Sequence, residues 1–177
     1  MTFPFPETLV SDRLLMENWQ AVMSDPVRKP KFEQSLENSL TPAIAHYLPL
    51  SMAYPGEYAG IDAWIKDRLN ELYAYTVHRS DTEEFLGLVL LFPDNDDELG
   101  ATLYIGYFYH EDSWGNGYAS EALGMVVDAL STGPETYLFA GVDVENIASA
   151  NVLRKVGFTR VSDKSTAGRH YFERMVP

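Results

Sequence analysis

The chain has 177 residues, enough for one domain with a sizeable hydrophobic core. Apolar residues make up 46% and aromatics 13%, which excludes a disordered chain, and a net charge of −13 argues against a nucleic-acid partner, whose phosphates require basic surface. The absence of cysteine excludes disulfides, thiolate metal sites and cysteine nucleophiles. An acidic surface suits a cationic amine or a basic peptide tail, although solubility alone accounts for it. The start, MTFPFPETL, has no basic segment followed by an apolar stretch, so no signal peptide is expected and a cytoplasmic location is. The longest apolar run, Phe85 to Phe92, falls well short of the roughly 20 residues a membrane span needs, so no membrane role is expected.

In chain order, a first strand is expected near Arg13 to Glu17. Residues 18–60 carry prolines at 26, 30, 42, 49 and 55, which forbid one long helix and predict short pieces. Ile61 to Leu72 reads as an amphipathic helix, with Ile61, Trp64, Ile65, Leu69 and Leu72 on one face. Tyr73–His78, Phe85–Phe92 and Ala101–Tyr109 are rich in β-branched and aromatic residues. Two turn clusters, 79–84 and 93–100, separate them, which predicts an antiparallel meander. Next come a helix over Tyr118–Leu130 and a strand over Tyr137–Val144. Strand, helix, strand predicts a parallel pair joined by a right-handed crossover. A second helix, Ile147–Val156, should stop at Gly157 and Phe158. Short strands near 159–161 and 170–176 close the chain, giving a mixed α+β fold read as a single domain over 1–177.

The segment HEDSWGNGYASEAL, 110–123, places Gly115 and Gly117 between a strand and a helix start. Glycine there admits unusual backbone angles, and successive N–H groups beside the positive end of a helix dipole form an anion nest suited to a pyrophosphate. A tight turn is the plain alternative. A nucleotide P-loop is disfavoured because no Gly-Lys-Ser/Thr follows, and the dinucleotide fingerprint lacks its third glycine.

WGNGYASEAL resembles the acyl-CoA loop of the GNAT superfamily of N-acyltransferases, whose pattern is Gln/Arg-x-x-Gly-x-Gly/Ala. Trp114, Gly117 and Ala119 stand at its first, fourth and sixth positions. The Trp, with Glu121 and Ala122, is typical of the branch that resembles ribosomal-protein N-terminal (alanine) acetyltransferases. IGYFYHED (105–112) is similar to the strand entering that loop. NIASANVLRKVGF (146–158) resembles the second signature, Asn-x-x-Ser-x-x-Val-Leu-x-Lys-x-Gly-Phe. SDRLL (11–15) and HYLPL (46–50) match the opening strand and early helical region.

The resemblance implies the GNAT fold, a mixed, mostly antiparallel sheet flanked by helices and splayed between strands 101–109 and 137–144. It implies acetyl-CoA as co-substrate, with pantetheine in the opening against the backbone of Phe108, Tyr109 and His110. Backbone N–H groups of Gly115, Asn116, Gly117, Tyr118 and Ala119 would hold the pyrophosphate. Asn146 and Ser149 would face the pantetheine arm. Asn146 also suits a helix N-cap, and Ser149 a local backbone bond. Trp114 reads as packing, Glu121 as a complement to the helix dipole and His110 as a loop residue. No histidine shows ligand spacing, so no metal is expected.

The implied reaction is direct attack of a primary amine on the thioester, with backbone N–H near Phe108 as oxyanion donor. Relatives often place a tyrosine acid in the second signature; here Leu153 stands there, and Ser149 is the substitute and catalytic candidate. No carboxylate lies in ATLYIGYFY to act as base, which favours a low-pKa amine such as a peptide N-terminus over lysine. Relatives also often carry Lys or Arg where Asn116 stands. An amine-antibiotic or polyamine acetyltransferase and a non-catalytic acyl-CoA-binding module are the alternatives. Tyr47, Tyr54, Tyr58 and Trp64 are candidates for the acceptor pocket or for the core. The protein is expected as a monomer or homodimer.

Overall fold

The computed structural model describes residues 5–49, 52, 54–56, 58–94 and 102–177. Ala101 and the acidic turn at 95–100 lie outside the described residues. The strands are β1 Thr8–Val10, β2 Leu14–Asn18, β3 Tyr73–Arg79, β4 Phe85–Pro93, β5 Thr102–Tyr109, β6 Thr136–Asp143, β7 Thr159–Val161 and β8 Arg169–Val176. They form one sheet in the order β1-β2-β3-β4-β5-β6-β8-β7, in which only β5 and β6 run parallel. The expected meander is β3-β4-β5, and the expected crossover is the helix α5, Tyr118–Leu130.

The proline-rich segment breaks into α1 (Trp19–Ser24), α2 (Arg28–Ser39) and α3 (Pro42–Ala45), with Pro30 in the first turn of α2 and Pro42 at the start of α3. Proline is tolerated there because those N–H groups have no partner within the helix. The amphipathic stretch is α4, Ile61–Arg68, shorter than the periodicity suggests because the chain turns at Leu69–Leu72 to enter β3.

Two apolar layers sandwich the sheet. α5 and α6 (Ile147–Lys155) cover one face, where Leu123, Val126, Val127 and Leu153 meet Val89, Leu91, Ile105 and Leu138. α1 to α4 cover the other, where Trp19, Leu36, Trp64 and Ile65 meet Ala74, Leu88, Leu90 and Phe108. β4 is buried on both faces, so its sequence reads as a continuous apolar run rather than an alternation.

α6 stops as its sequence demands. Gly157 has φ +81°, its N–H reaches the Arg154 carbonyl at 3.0 Å and the Phe158 N–H reaches the Leu153 carbonyl at 3.0 Å. This is the Schellman arrangement, which needs a left-handed residue at that position. No helix among the described residues is long and apolar enough to cross a membrane.

Candidate active site

The site begins with missing strand pairing. β5 and β6 pair only at Thr102–Tyr137, Leu103–Leu138 and Tyr104–Phe139. Beyond Tyr104 both strands continue, β5 to Tyr109 against β4 and β6 to Asp143 against β8, but no longer against each other. The sheet therefore opens like a V, and the opening widens into a cavity of about 960 Å3. That volume lies at the upper end for ligand pockets and suits a long, extended ligand.

Which backbone groups face the opening follows from alternation along β5. The His110 N–H donates to Leu86 O at 2.7 Å and Thr102 O accepts from the Asp94 N–H at 3.0 Å, so both ends of β5 turn their even-numbered residues toward β4. The register between them is unbroken. A Cβ on Gly87 would lie 2.1 Å from Phe108 O, which confirms that this carbonyl is aimed at β4. The groups directed away from β4 thus belong to Ile105, Tyr107 and Tyr109, of which the Tyr109 carbonyl is taken by the Trp114 indole N–H at 2.8 Å. This corrects the sequence reading for Phe108, whose backbone groups face β4, and for His110, whose N–H goes to β4 and whose carbonyl accepts from the Ser113 N–H and hydroxyl at 2.9 and 2.7 Å.

The loop that follows β5 is shaped by its glycines. Gly115 and Gly117 have φ +77° and +80°, a region costly for any residue with a Cβ. A Cβ at Gly115 would meet nothing within 4 Å, so backbone conformation rather than crowding requires glycine there. Gly117 is the N-cap of α5 and supplies no side-chain cap. The first N–H groups of a 13-residue helix are therefore left to face the cleft, at the positive end of its dipole. Asn116 staples the loop from within: its side-chain amide donates to the carbonyls of Ser113 and Trp114, both at 3.1 Å.

A third set of contacts steadies the loop from the turn between β1 and β2. Arg13 Nε donates to Glu121 at 2.8 Å, with a second, shorter contact from Nη2, and Nη1 donates to Asn116 O at 3.1 Å. Its guanidinium lies over the Tyr118 ring, 5.0 Å from the centroid. Ser11 Oγ donates to the other Glu121 oxygen at 2.6 Å. Burial pushes the Glu121 carboxyl up, but the Ser11 and Arg13 hydrogen bonds outweigh it and hold the group below the ordinary range.

Across the opening, α6 presents the second signature. Asn146 is its N-cap, accepting the Ser149 N–H at 3.0 Å. Ser149 Oγ lies 2.8 Å from the Tyr107 hydroxyl, which is also 3.2 Å from Ser149 O. Burial pushes the Tyr107 hydroxyl up to about 12, with the Ser149 contact pulling the other way. Tyr107 and Ser149 both line the cavity. An aimed hydroxyl pair, a splayed strand edge and an uncapped helix start suit a thioester carried on a diphosphate-bearing arm.

The family model described as Acetyltransferase (GNAT) domain matches residues 25–159. The chain belongs to the GNAT acetyltransferase family. Its activity is acyl-CoA-dependent N-acetylation, with acetyl-CoA as co-substrate. In fold the chain is similar to RimL, a ribosomal L7/L12 alpha-N-protein acetyltransferase in complex with coenzyme A. The TM-score is 0.73 at 17% identity, covering 96% of this chain and 98% of that one. It is similar to an acetyl transferase from Salmonella typhimurium that modifies the N-terminal serine of the 50S ribosomal protein L7/L12, with TM-score 0.72, 17% identity and coverage of 97% and 100%. It is also similar to a ribosomal-protein-S5-alanine acetyltransferase from Vibrio fischeri, with TM-score 0.67, 12% identity and coverage of 96% and 96%. At these identities the likeness shows the fold alone. No curated protein matches the sequence.

Within this GNAT fold, Phe108, Tyr109, Gly115, Gly117, Tyr118, Ala119, Asn146 and Ser149 line the cleft. His110 and Asn116 do not; they border a smaller depression behind the loop. Of the aromatics offered for an acceptor pocket, Tyr47 lines the cleft. Trp64 is fully buried in the core, and the Tyr54 and Tyr58 hydroxyls donate to Glu37 and Asp67. Tyr107 and Arg13 were missed. Period-2 alternation in LYIGYFY places Tyr107 on the α6 side, yet the pattern fits a packed aromatic equally well. Only the three-dimensional pairing with Ser149 sets it apart.

Proposed function

We propose that the protein binds acetyl-CoA in the opening between β5 and β6 and acetylates a peptide N-terminus or another amine of low pKa. The observation that carries this reading is the Tyr107–Ser149 hydroxyl pair, 2.8 Å apart, at the point where the two strands separate. The backbone N–H groups of Gly115, Gly117, Tyr118 and Ala119 would hold the pyrophosphate, with Asn116 shaping the loop between them, and those of Tyr107 and Tyr109 would bond the pantetheine or the developing oxyanion. Ser149 would turn its proton toward the leaving sulfur while Tyr107, free to rotate from Ser149 O, donates to Ser149 Oγ. A single domain over 1–177, supported by the one continuous sheet, frames the site.

The choice of acceptor turns on the base. Among the described cleft residues the carboxylates are Asp143, the last residue of β6, and Glu145, which follows it before α6, and neither is hydrogen-bonded to Tyr107 or Ser149. An α-amine titrates near pH ~8 and a lysine near ~10.4, so an α-amine is already partly neutral at physiological pH and asks less of the enzyme. Thiol release from acetyl-CoA is the test, using peptides with free or blocked N-termini. Free α-amines should be the better substrates; preferential acetylation of a lysine in a blocked peptide would reject the reading. A non-catalytic binder would instead show coenzyme-dependent thermal stabilisation and no thiol release with any amine.

A further inference from the structure

We propose that the acceptor subsite is the half of the cleft facing α3, and that it takes an amine borne on an apolar body, branched aliphatic or aromatic, rather than a polar or polycationic one. This rests on the reading above. The two faces of the sheet divide the cavity. On the α6 side stand Tyr107, Ser149 and the loop, already assigned to acetyl-CoA. On the other side the wall is built by Ile44, Leu48 and Met52 from α3 and the segment after it, with Leu90 and Phe92 of β4 and Phe108 of β5. Tyr104 and Phe139, the last paired position of β5 and β6, close this wall where the strands separate. Of the charged groups among the described residues, Asp143, Glu145 and Arg169 line the cavity, Asp143 and Arg169 as register partners where β6 meets the start of β8; past the aromatic end of the wall, Lys164 lies over the Phe139 ring and the Tyr104 hydroxyl donates to Asp94 at 3.4 Å.

Gly106 marks the floor of this half. It alternates with Tyr107, so it faces α3, and a Cβ there would rest 3.7 Å from Phe92 and 3.9 Å from Leu90. Without that Cβ, space remains directly beside the strand that presents the reacting groups. An apolar substituent entering it would lose water against aliphatic and aromatic surface. A second ammonium group lodged among Ile44, Leu48, Met52, Leu90, Phe92 and Phe108 would lose its hydration, and none of these six side chains offers a carboxylate to replace it.

The experiment compares short peptides that differ only in the first residue, Phe, Leu or Met against Ser, Asp or Lys, with phenethylamine and spermidine as small-molecule counterparts. At saturating acetyl-CoA, kcat/KM should favour the apolar set by about tenfold or more. Equal or better turnover of the polar or cationic set overturns the inference while leaving acetyl transfer intact. Failure of all acceptors to release thiol would instead sink the underlying reading. Calorimetric binding of the same peptides to the coenzyme A complex then still tests the subsite, which fails if the polar set binds as well. Gly106→Ala, sterically tolerated at ordinary contact distances, should raise KM for the Phe-headed peptide several-fold and leave KM for acetyl-CoA unchanged. An equal effect on both would count against the assignment of this half to the acceptor.

Discussion

Tyr107 is the residue that most changes how the chemistry is read. With Leu153 buried in the core at the place where a tyrosine was sought, the hydroxyl arrives from the facing strand instead. Tyr107→Phe and Ser149→Ala should each lower kcat by about 100-fold or more with little change in either KM, within the roughly 100- to 10,000-fold range expected on losing a proton donor. Because the two hydroxyls act as one unit, the double variant should be scarcely slower than the worse single variant; additive losses would show that they act separately. With its hydroxyl raised to about 12, Tyr107 stays protonated throughout the working range, so the acid limb of the rate profile belongs to the acceptor amine. His78 offers a separate test of stability. Burial pushes its ring below the ordinary value, although the Glu83 carbonyl and the Glu17 charge oppose this, and its Nε2 is buried with no partner. The unfolded chain takes up the proton near pH ~6.5 and the folded chain only at lower pH, so stability conferred by the neutral ring is lost as pH falls below about 6.5. His78→Phe, which keeps the packing against Phe85, should narrow the difference in Tm between about pH 7.5 and about pH 5.5. An unchanged difference would exclude His78 as its source. None of this was legible in the sequence: a tyrosine and a histidine in strands look the same whether they pack, titrate or react.

At the scale of elements, most of the fold could be read directly, because periodicity reports which face of a helix or strand is buried. α5 is observed over the span that its apolar spacing marks, and α6 ends at its glycine. β1 escaped notice because a three-residue edge strand has no period to detect. The union of the β1–β2 turn with the α5 loop escaped too, since it joins residues more than 100 positions apart. That union has a purpose beyond packing. Glu121 in the first turn of α5 brings a negative charge to the place proposed for a pyrophosphate, and Arg13 and Ser11 occupy both of its oxygens. Arg13 also fixes the Asn116 carbonyl, and so holds the loop that has no cation of its own. As a half-exposed pair it should contribute only up to ~1 kcal/mol to stability. Arg13→Gln should therefore leave Tm nearly unchanged and kcat within about twofold, but raise KM for acetyl-CoA about tenfold, equivalent to ~1.4 kcal/mol. Arg13→Lys, lacking the planar fork, should recover only part of the loss. Removing the repelling carboxylate as well, in Arg13→Gln with Glu121→Gln, should restore much of the affinity. A KM unaffected in all three variants would reduce the cluster to an ordinary surface ion pair.

The whole molecule adds a condition that no single contact reveals. Local patterns predict strands, but not how far two strands stay paired; the splay at Tyr104 was legible only through the family resemblance. The charge, by contrast, is plain in the sequence, and its consequence is physical. A protein of net charge −13 must admit a polyanionic substrate against its own field. Around the loop the groups at hand are neutral backbone donors and Arg13, whose charge is already engaged by Glu121, while Arg169 lines the cavity from the start of β8. Binding dominated by close cation–phosphate pairs weakens as salt screens them. Binding through neutral donors inside a repelling field behaves otherwise, because added salt screens the repulsion first: the Debye length falls from ~30 Å at 0.01 M to ~10 Å at 0.1 M, while donors in contact are little affected. KM for acetyl-CoA should therefore stay flat or fall slightly between about 0.01 and about 0.15 M monovalent salt, and the association rate should rise over the same range. Coenzyme-dependent thermal stabilisation, following RT ln(1 + [L]/Kd), should show the same salt insensitivity at a fixed ligand concentration. A KM that climbs several-fold with salt would mean that paired cations, not backbone N–H groups at residues 115–119, carry the phosphate contact.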